Sequence, residues 1–257
     1  MTKARINVRR AYREQLRLFI NLSNTVRNLI RNLFKRYADL AEAEYLNNES
    51  IDDDFFDELN TDLYFILRNN VATVYDQVNS KFKRDRLRKQ DDEFNELVMA
   101  FVSQFTAQNV TNISNTTKNK IKKEIELGLQ AGLALSTIAE NIKKSNAFSP
   151  VRATLIARTE THQAMNAANQ DIAKTLGLNK PVKRWASALD DRTRSWHRSM
   201  DGVTIKENED FSVLTPISGG GFVEKKMSYA GDAKGGASNV INCRCFVLYF
   251  DEDDIVE

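Results

Sequence analysis

Residues 185–202 read WASALDDRTRSWHRSMDG, and a second segment, NCRC, occupies residues 242–245. The first segment predicts a short strand at residues 183–187, a turn and then a helix near residues 191–199. The second segment opens the apolar run at residues 245–250, which is typical of a buried strand. Because neither strand is long enough to be stable alone, we predict that the two pair in one small domain.

The two segments also contain most of the chain's soft metal ligands. Both cysteines, Cys243 and Cys245, lie in the second segment, and one of the two histidines, His197, lies in the first. Zinc binds thiolate and imidazole, usually through four ligands, so Asp191 or His162 is a candidate for the fourth position. The alternative is a packed pair of small thiols beside a hydrogen-bonded histidine. The sequence favours a protein without a cofactor, and zinc is the one candidate that it offers.

A helix predicted to begin at Ser149-Pro150 and to end near Gly177 carries unusual polar density. Glu160 on this helix would serve as a base in a catalytic interpretation. No nucleophile, phosphate-binding loop or second matched carboxylate accompanies it, so buried hydrogen-bonded groups are favoured over a catalytic site. The predicted structural polar anchors are Arg158, Glu160, Asn166, Asp191 and Arg194.

These residues resemble the phage Mu F-like minor head protein family, also called the phage head morphogenesis family. The similarity covers roughly residues 120–250 and runs through four ordered blocks. The blocks are Ile156–Glu160 with Ala164, Asn166 and Ala168; Lys183 and Trp185; Asp191–Arg194 with His197, Asp201-Gly202 and Phe211; and Asn242–Cys245. Many relatives carry a Cys-x-x-Cys pair at the positions of Arg194 and His197.

The resemblance implies a structural minor head protein of a tailed bacteriophage, not an enzyme. Such a protein associates with the portal or inner capsid during head assembly and aids DNA packaging or ejection. Its implied partners are the portal protein and a major capsid or scaffolding protein, and its implied location is the head interior or portal vertex, after assembly in the host cytoplasm. The alternative from another class is a metal-dependent hydrolase or toxin-like domain that uses Glu160, Asp191 and His197.

All ten glycines and all three prolines lie beyond residue 127, which predicts a nearly all-helical N-terminal half. Apolar residues at steps of three and four predict long helices, with breaks near residues 47–50 and 85–91. We therefore predict an α+β protein: an elongated, mostly helical N-terminal half, then a small mixed α/β domain with short antiparallel strands. The predicted division is a helical hairpin or bundle at residues 1–116 and a second domain at residues 117–257. That domain has helices to about residue 177 and a glycine-rich loop at residues 218–236, and the polar stretch at residues 114–117 is interpreted as a hinge.

Charge is segregated along the helical half, although the net charge is only +2. Residues 1–36 hold ten basic side chains and one acid, residues 37–62 hold ten acids and no Lys or Arg, and residues 81–89 are basic again. The blocks either pair internally or contact viral DNA phosphates without sequence preference. Candidate contacts to DNA or to a partner are Arg9, Arg10, Arg13, Arg17, Lys83, Arg84 and Arg86. No apolar run is long enough to predict a membrane span.

Overall fold

A computed structural model of the 257-residue chain describes residues 7–82 and 91–254, with the side chains of residues 82 and 91–94 outside that description. The fold is α+β, as predicted, with long helices followed by short antiparallel strands. The described residues divide into two compact units. The helical unit comprises Ser23–Ala72 and Asp92–Ala157. The motif unit comprises the described residues of Met1–Leu22, Thr73–Asp91 and Arg158–Glu257.

Six long helices account for most of the first 175 residues. They are α1 (Val8–Asn48), α2 (Asp53–Phe82), α3 (Asp91–Phe101), α4 (Ala107–Gln130), α5 (Leu135–Lys144) and α6 (Pro150–Thr175), with one π-helical turn at Val102–Thr106 between α3 and α4. Asp53 and Asp54 lie in the first turn of α2, where the helix dipole favours negative charge. Ser149 Oγ accepts a hydrogen bond from the Arg152 backbone N–H at 3.2 Å and so caps α6. The break predicted near residues 47–50 is confirmed, and the one predicted near residues 85–91 lies almost wholly outside the described residues.

The helical unit is built on one apolar cluster. Leu59, Leu63 and Leu67 of α2 are at most 1% exposed, so the stripe predicted from their spacing is core. Within this unit α1, α2, α4, α5 and the first two turns of α6 contribute to the cluster. Arg152 crosses it as a half-buried cation and donates to Thr117 Oγ1 at 2.9 Å and to the Ile113 carbonyl at 2.8 Å.

The hinge predicted at residues 114–117 is wrong, because α4 is continuous through that stretch. Ser114 Oγ donates to the Phe56 carbonyl at 3.2 Å, and Thr117 Oγ1 donates to the Ile113 carbonyl at 2.9 Å. These hydroxyls are satisfied within the helical structure and do not compete with it. The division predicted at residues 116 and 117 also differs from the observed units, since both residues lie inside α4 and the motif unit takes up three separate stretches of chain.

Acidic and basic side chains pair with one another in the helical unit. Lys143 lies 3.1 Å from Asp39 and 2.6 Å from Glu42, and Arg36 and Lys118 pair with Asp62 and Asp53. Part of the acidic block at residues 37–62 is therefore neutralised internally. Of its partners, Lys118 of α4 and Lys143 of α5 lie outside the basic block at residues 1–36, and Arg36 lies within it.

The strands of the motif unit form two small antiparallel sheets. Their bounds are β1 Pro181–Ala186, β2 Thr204–Lys206, β3 Phe211–Pro216, β4 Phe222–Met227 and β5 Phe246–Asp251. One sheet has the order β2-β1-β5, and the other is the β3-β4 ribbon. Lys183 of β1 is paired with Tyr249 of β5, so the predicted pairing of these two segments is confirmed.

The loop predicted at residues 218–236 is shorter than expected. It contains β4, a mostly exposed strand that pairs with β3, and a 3₁₀ turn at Ala233–Gly235. The connection that remains between the two strands includes Gly219, Gly220 and Gly221, all at positive φ. The helix predicted near residues 191–199 is the single turn α7 (Ser195–Arg198), and α8 (Ala237–Val240) is equally short.

Helix α6 lies at the centre of the motif unit, where every residue from 161 to 169 is buried. Phe246 of β5 contacts Tyr12 and Phe19 edge to face, with ring centroids 5.8 and 6.0 Å apart. On the other side of the sheet, Trp185 is fully buried against Phe211. No described helix is both long and apolar enough to cross a bilayer.

Candidate functional site

His197, Cys243 and Cys245 converge in the motif unit, as the sequence predicts. His197 lies on α7, and the two cysteines lie in the turn that leads into β5. His197 Nδ1 is 3.5 Å from Cys243 Sγ and 3.7 Å from Cys245 Sγ, and all three ligand atoms lie within 4.8 Å of one another. Each residue is at most 2% exposed. Among the described residues, no other group of three or more His, Cys, Asp or Glu side chains has metal-binding geometry.

Asn239 holds the far side of the His197 ring. Its Oδ1 lies 3.0 Å from His197 Nε2 and accepts a hydrogen bond from Trp196 Nε1 at 2.8 Å. Its Nδ2 donates to Thr215 Oγ1 and to the Gly235 carbonyl, each at 2.8 Å. An indole can only donate and a carbonyl can only accept, so the orientation of this amide is fixed by chemistry.

The two buried thiols shift each other's pKa in opposite directions. A hydrogen bond from Cys243 lowers the pKa of the Cys245 thiol well below its usual value, with further help from His197 and Ser187. The same bond and burial raise the pKa of Cys243. The pair therefore favours one thiolate on Cys245 and one thiol on Cys243.

Asn166 connects α6 to the strand that follows the cysteines. Its Oδ1 accepts a hydrogen bond from the Val247 backbone N–H at 3.0 Å, so its predicted role as an anchor agrees with the geometry. His162, four residues earlier, places Nε2 at 2.6 Å from the Cys245 carbonyl oxygen. Burial lowers the pKa of His162 to about 4, so this ring is neutral at pH 7 and donates through Nε2. His162 thus faces the backbone of Cys245, and its Nδ1 lies close to Gly231.

Asp190, and not the predicted polar anchor Asp191, makes the carboxylate contact in this turn. Both guanidinium nitrogens of Arg244 donate to the Asp190 carboxylate, and the Arg244 side chain is only 13% exposed. Asp191 is exposed, because the turn at residues 190–193 closes through Asp190 Oδ1 and the Arg192 N–H. Arg194 donates to the Ile241 carbonyl at 2.6 Å and so anchors the turn before the cysteines. Arg158 and Glu160 are half-buried on α6.

The residues of the hydrolase alternative do not form a ligand group. Glu160 and Asp191 are absent from the cluster around His197, and neither Asp191 nor His162 supplies a fourth ligand to it. The cavity beside the cluster has a volume of about 10 Å³ and is lined by Thr193, Arg194 and the cysteine turn. Such a cavity is large enough for about one water molecule, not for an organic substrate.

Some of the basic residues predicted to contact DNA or a partner already bind acidic groups of this chain. Arg9 donates to Asp201 and to the Ser187 carbonyl, and Arg10 pairs with Glu14 on the next turn. Arg13 and Arg17 are exposed on α1. Lys83, Arg84 and Arg86 lie outside the described residues.

Sequence reasoning missed three residues that shape the site. Asn239 lies in a glycine-rich stretch with no periodic pattern, so nothing in the sequence indicates its burial. Ser187, which donates to the His197 carbonyl at 2.5 Å, is the last residue of the predicted strand. Arg244 stands between the two cysteines, and its position inside that motif is a signal that could have drawn attention to it.

Comparison with known proteins finds similarity over the part of the chain that contains these motifs. The family model described as Phage Mu protein F like protein matches residues 119–248. The chain is 35% identical over 141 residues to the minor head protein GP7 of Bacillus phage SPP1, a match covering 53% of this chain and 42% of that protein. It is 32% identical over 145 residues to the NAD(+)–arginine ADP-ribosyltransferase EFV of Enterococcus faecalis, covering 55% of this chain and 25% of that protein. The matches thus span less than half the length of these curated relatives, and no solved structure matches the chain.

Proposed function

Because the chain belongs to the Phage Mu protein F like family, we propose that it is a minor head protein that binds the portal or inner capsid of a tailed bacteriophage during head assembly. The family match over residues 119–248 carries this proposal, and the similarity to a phage minor head protein supports it. The role is structural: the protein joins the virion as a building component and aids the packaging or ejection of DNA.

The geometry of the motif unit supports a structural role over catalysis. The polar groups that the sequence singles out are used to hold elements together: Asn166 bonds β5, Asp190 pairs with Arg244, and Arg194 bonds the Ile241 carbonyl. An active site needs polar groups that converge on a cavity in which a substrate fits. The cavity beside the motif has room for about one water molecule.

The similarity to an ADP-ribosyltransferase does not favour a second function. The shared part amounts to 25% of that protein, so three quarters of it has no aligned counterpart in this chain. Glu160, Asp191 and His197, the residues of the enzyme alternative, do not meet in one group. We therefore assign no reaction to the chain.

The proposed partners are the portal protein and a major capsid or scaffolding protein, with non-specific contact to viral DNA. On α1, Arg13 and Arg17 are one helical turn apart and exposed, which suits contact with a phosphate backbone. Arg9 is less suited to this contact because Asp201 already neutralises it.

The proposal is tested by purifying phage heads and measuring whether the chain is present in a fixed ratio to the portal protein. Heads carrying Glu160→Gln are the matched comparison, because this change removes a charge from the candidate catalytic base. We expect the chain in both preparations at the same ratio, with DNA packaged normally in both. Purified heads that lack the chain would refute the proposal, and normal incorporation with failed packaging in Glu160→Gln heads would favour the enzyme alternative.

A further inference from the structure

The cluster of His197, Cys243 and Cys245 has the dimensions of a tetrahedral metal site. With Zn–S bonds of about 2.3 Å and a Zn–N bond of about 2.1 Å, tetrahedral angles place sulfur about 3.6 Å from nitrogen. The observed distances from His197 Nδ1 to the two sulfurs are 3.5 and 3.7 Å. Both nitrogen–sulfur distances therefore match those around one tetrahedral ion, and the three ligand atoms lie within 4.8 Å of one another.

The tautomer of His197 also suits a metal. Asn239 Oδ1 is an acceptor, because the Asn239 amide group is directed at Thr215 and at the Gly235 carbonyl. His197 Nε2 must therefore carry the proton that it donates to Asn239 at 3.0 Å. In a neutral ring this leaves the lone pair on Nδ1, which faces the sulfurs. A second hydrogen-bond partner that fixes the ring in this way is typical of metal-binding histidines.

Charge and space are consistent with zinc. Two thiolates cancel the charge of one Zn²⁺, so a buried site of this composition is neutral. The cavity of about 10 Å³ borders His197 and both cysteines, and it has room for about one water molecule as the fourth ligand.

We propose that His197 Nδ1, Cys243 Sγ and Cys245 Sγ bind one Zn²⁺, with water as the fourth ligand. The ion links α7, which follows β1, to the turn that precedes β5. It links two ligands, His197 and Cys243, that lie 46 positions apart in the chain. The site is structural, and its role is to hold the cysteine turn on α7. A bare thiol pair beside a hydrogen-bonded histidine is the competing explanation.

The test begins with the full chain, purified under reducing conditions without chelator, and measures zinc by elemental analysis. Addition of Co²⁺ after zinc removal provides a second readout, because tetrahedral cobalt with thiolate ligands absorbs strongly in the visible and near-ultraviolet. A thiol reagent supplies the third, since the chain contains only these two cysteines. We expect one zinc per chain, a thiolate–cobalt spectrum, and thiols that react slowly until a chelator is added.

Two variants separate ligands from neighbours. Ser199→Ala removes an exposed hydroxyl that donates to the Trp196 carbonyl at 3.0 Å but no proposed ligand, so it should keep the zinc and the cobalt spectrum. The double variant Cys243→Ser/Cys245→Ser should lose both. Should the double variant fail to fold, the wild-type measurements still decide. Wild-type protein without zinc or a cobalt spectrum, or zinc retained by a folded double variant, overturns the proposal.

Discussion

Replacement of Asn166 by alanine tests whether this side chain bonds the last strand to the central helix. Asn166 is fully buried, and its Oδ1 accepts from the Val247 backbone N–H at 3.0 Å. Alanine removes that acceptor and leaves a buried N–H without a partner. An orphaned buried donor costs about 1–3 kcal/mol, beyond the loss of packing. We expect the free energy of unfolding to fall accordingly.

Asn169→Ala is the matched control on the same helix. Asn169 is 2% exposed and has the same volume, but its Oδ1 accepts from a flexible side chain, Gln15 Nε2, at 3.2 Å. Both replacements create similar cavities, so the packing cost largely cancels between them. The difference reports the bonds of Asn166 to backbone groups, which are the Val247 N–H and the carbonyls of His162 and Cys245. Asn166→Ala should therefore be the more destabilising by about 1–3 kcal/mol.

Urea unfolding followed by tryptophan fluorescence measures this difference. Both tryptophans, Trp185 and Trp196, lie in the motif unit, so the signal reports the unit that contains Asn166. The urea concentrations at the midpoint of unfolding should differ between the two variants, while the slope of the free energy of unfolding against urea concentration stays the same. Equal destabilisation by the two alanine variants would refute the reasoning, because it would mean that the bond to Val247 contributes nothing beyond packing.

Three further predictions concern other contacts. Gly231→Ala should destabilise the protein by about 1–3 kcal/mol more than Gly236→Ala in urea unfolding. Both glycines have positive φ, but a Cβ at Gly231 would lie 2.7 Å from His162 Nδ1, whereas a Cβ at Gly236 would meet no atom within 4 Å apart from its chain neighbours. Equal effects would mean that only backbone strain matters. Asp190→Asn should cost about 1 kcal/mol at pH 7, allowing for a carboxylate that is 37% exposed. Bonds from Arg244 lower the pKa of Asp190 from 3.8 to about 2, so the native carboxylate adds stability above pH 4 and loses it as the pH falls towards 2. The difference in free energy of unfolding between wild type and Asp190→Asn should therefore shrink over that range. A difference that stays unchanged down to pH 2 would contradict this account. Arg13→Glu/Arg17→Glu should weaken binding to non-specific DNA and reduce the salt dependence of that binding, as measured by fluorescence anisotropy. The control variant Arg9→Gln should have a smaller effect. DNA binding that is unaffected by the double charge reversal would exclude this face of α1 as a DNA contact.

Local pattern was enough to predict the helices and the main strand pair. Before Gly128 the chain has no glycine or proline, and its apolar residues repeat at helical spacing, so α1 and α2 follow directly. β1 and β5 are short apolar runs that need a partner. The convergence of His197 with the cysteines follows from that pairing, because it brings the two motifs together.

The remaining features depend on contacts between residues distant in sequence. The stretch at residues 114–117 looks like a hinge because Ser and Thr usually favour turns, but the Phe56 carbonyl accepts from Ser114 and stabilises the helix. β4 is mostly exposed and becomes a strand through its pairing with β3. Asn239 owes its role to three elements that meet around it, and no local pattern encodes such a meeting.

The continuity of α1 has a consequence for the order of folding during synthesis. Residues up to Leu22 belong to the motif unit, whereas those from Ser23 onward belong to the helical unit. A ribosome releases the last segment of the helical unit, which ends at Ala157, well before it makes β5. Tyr12 and Phe19 therefore cannot contact the Phe246 ring until nearly the whole chain has emerged. The first helix to be made thus carries an exposed apolar face through most of translation, a natural site for a chaperone.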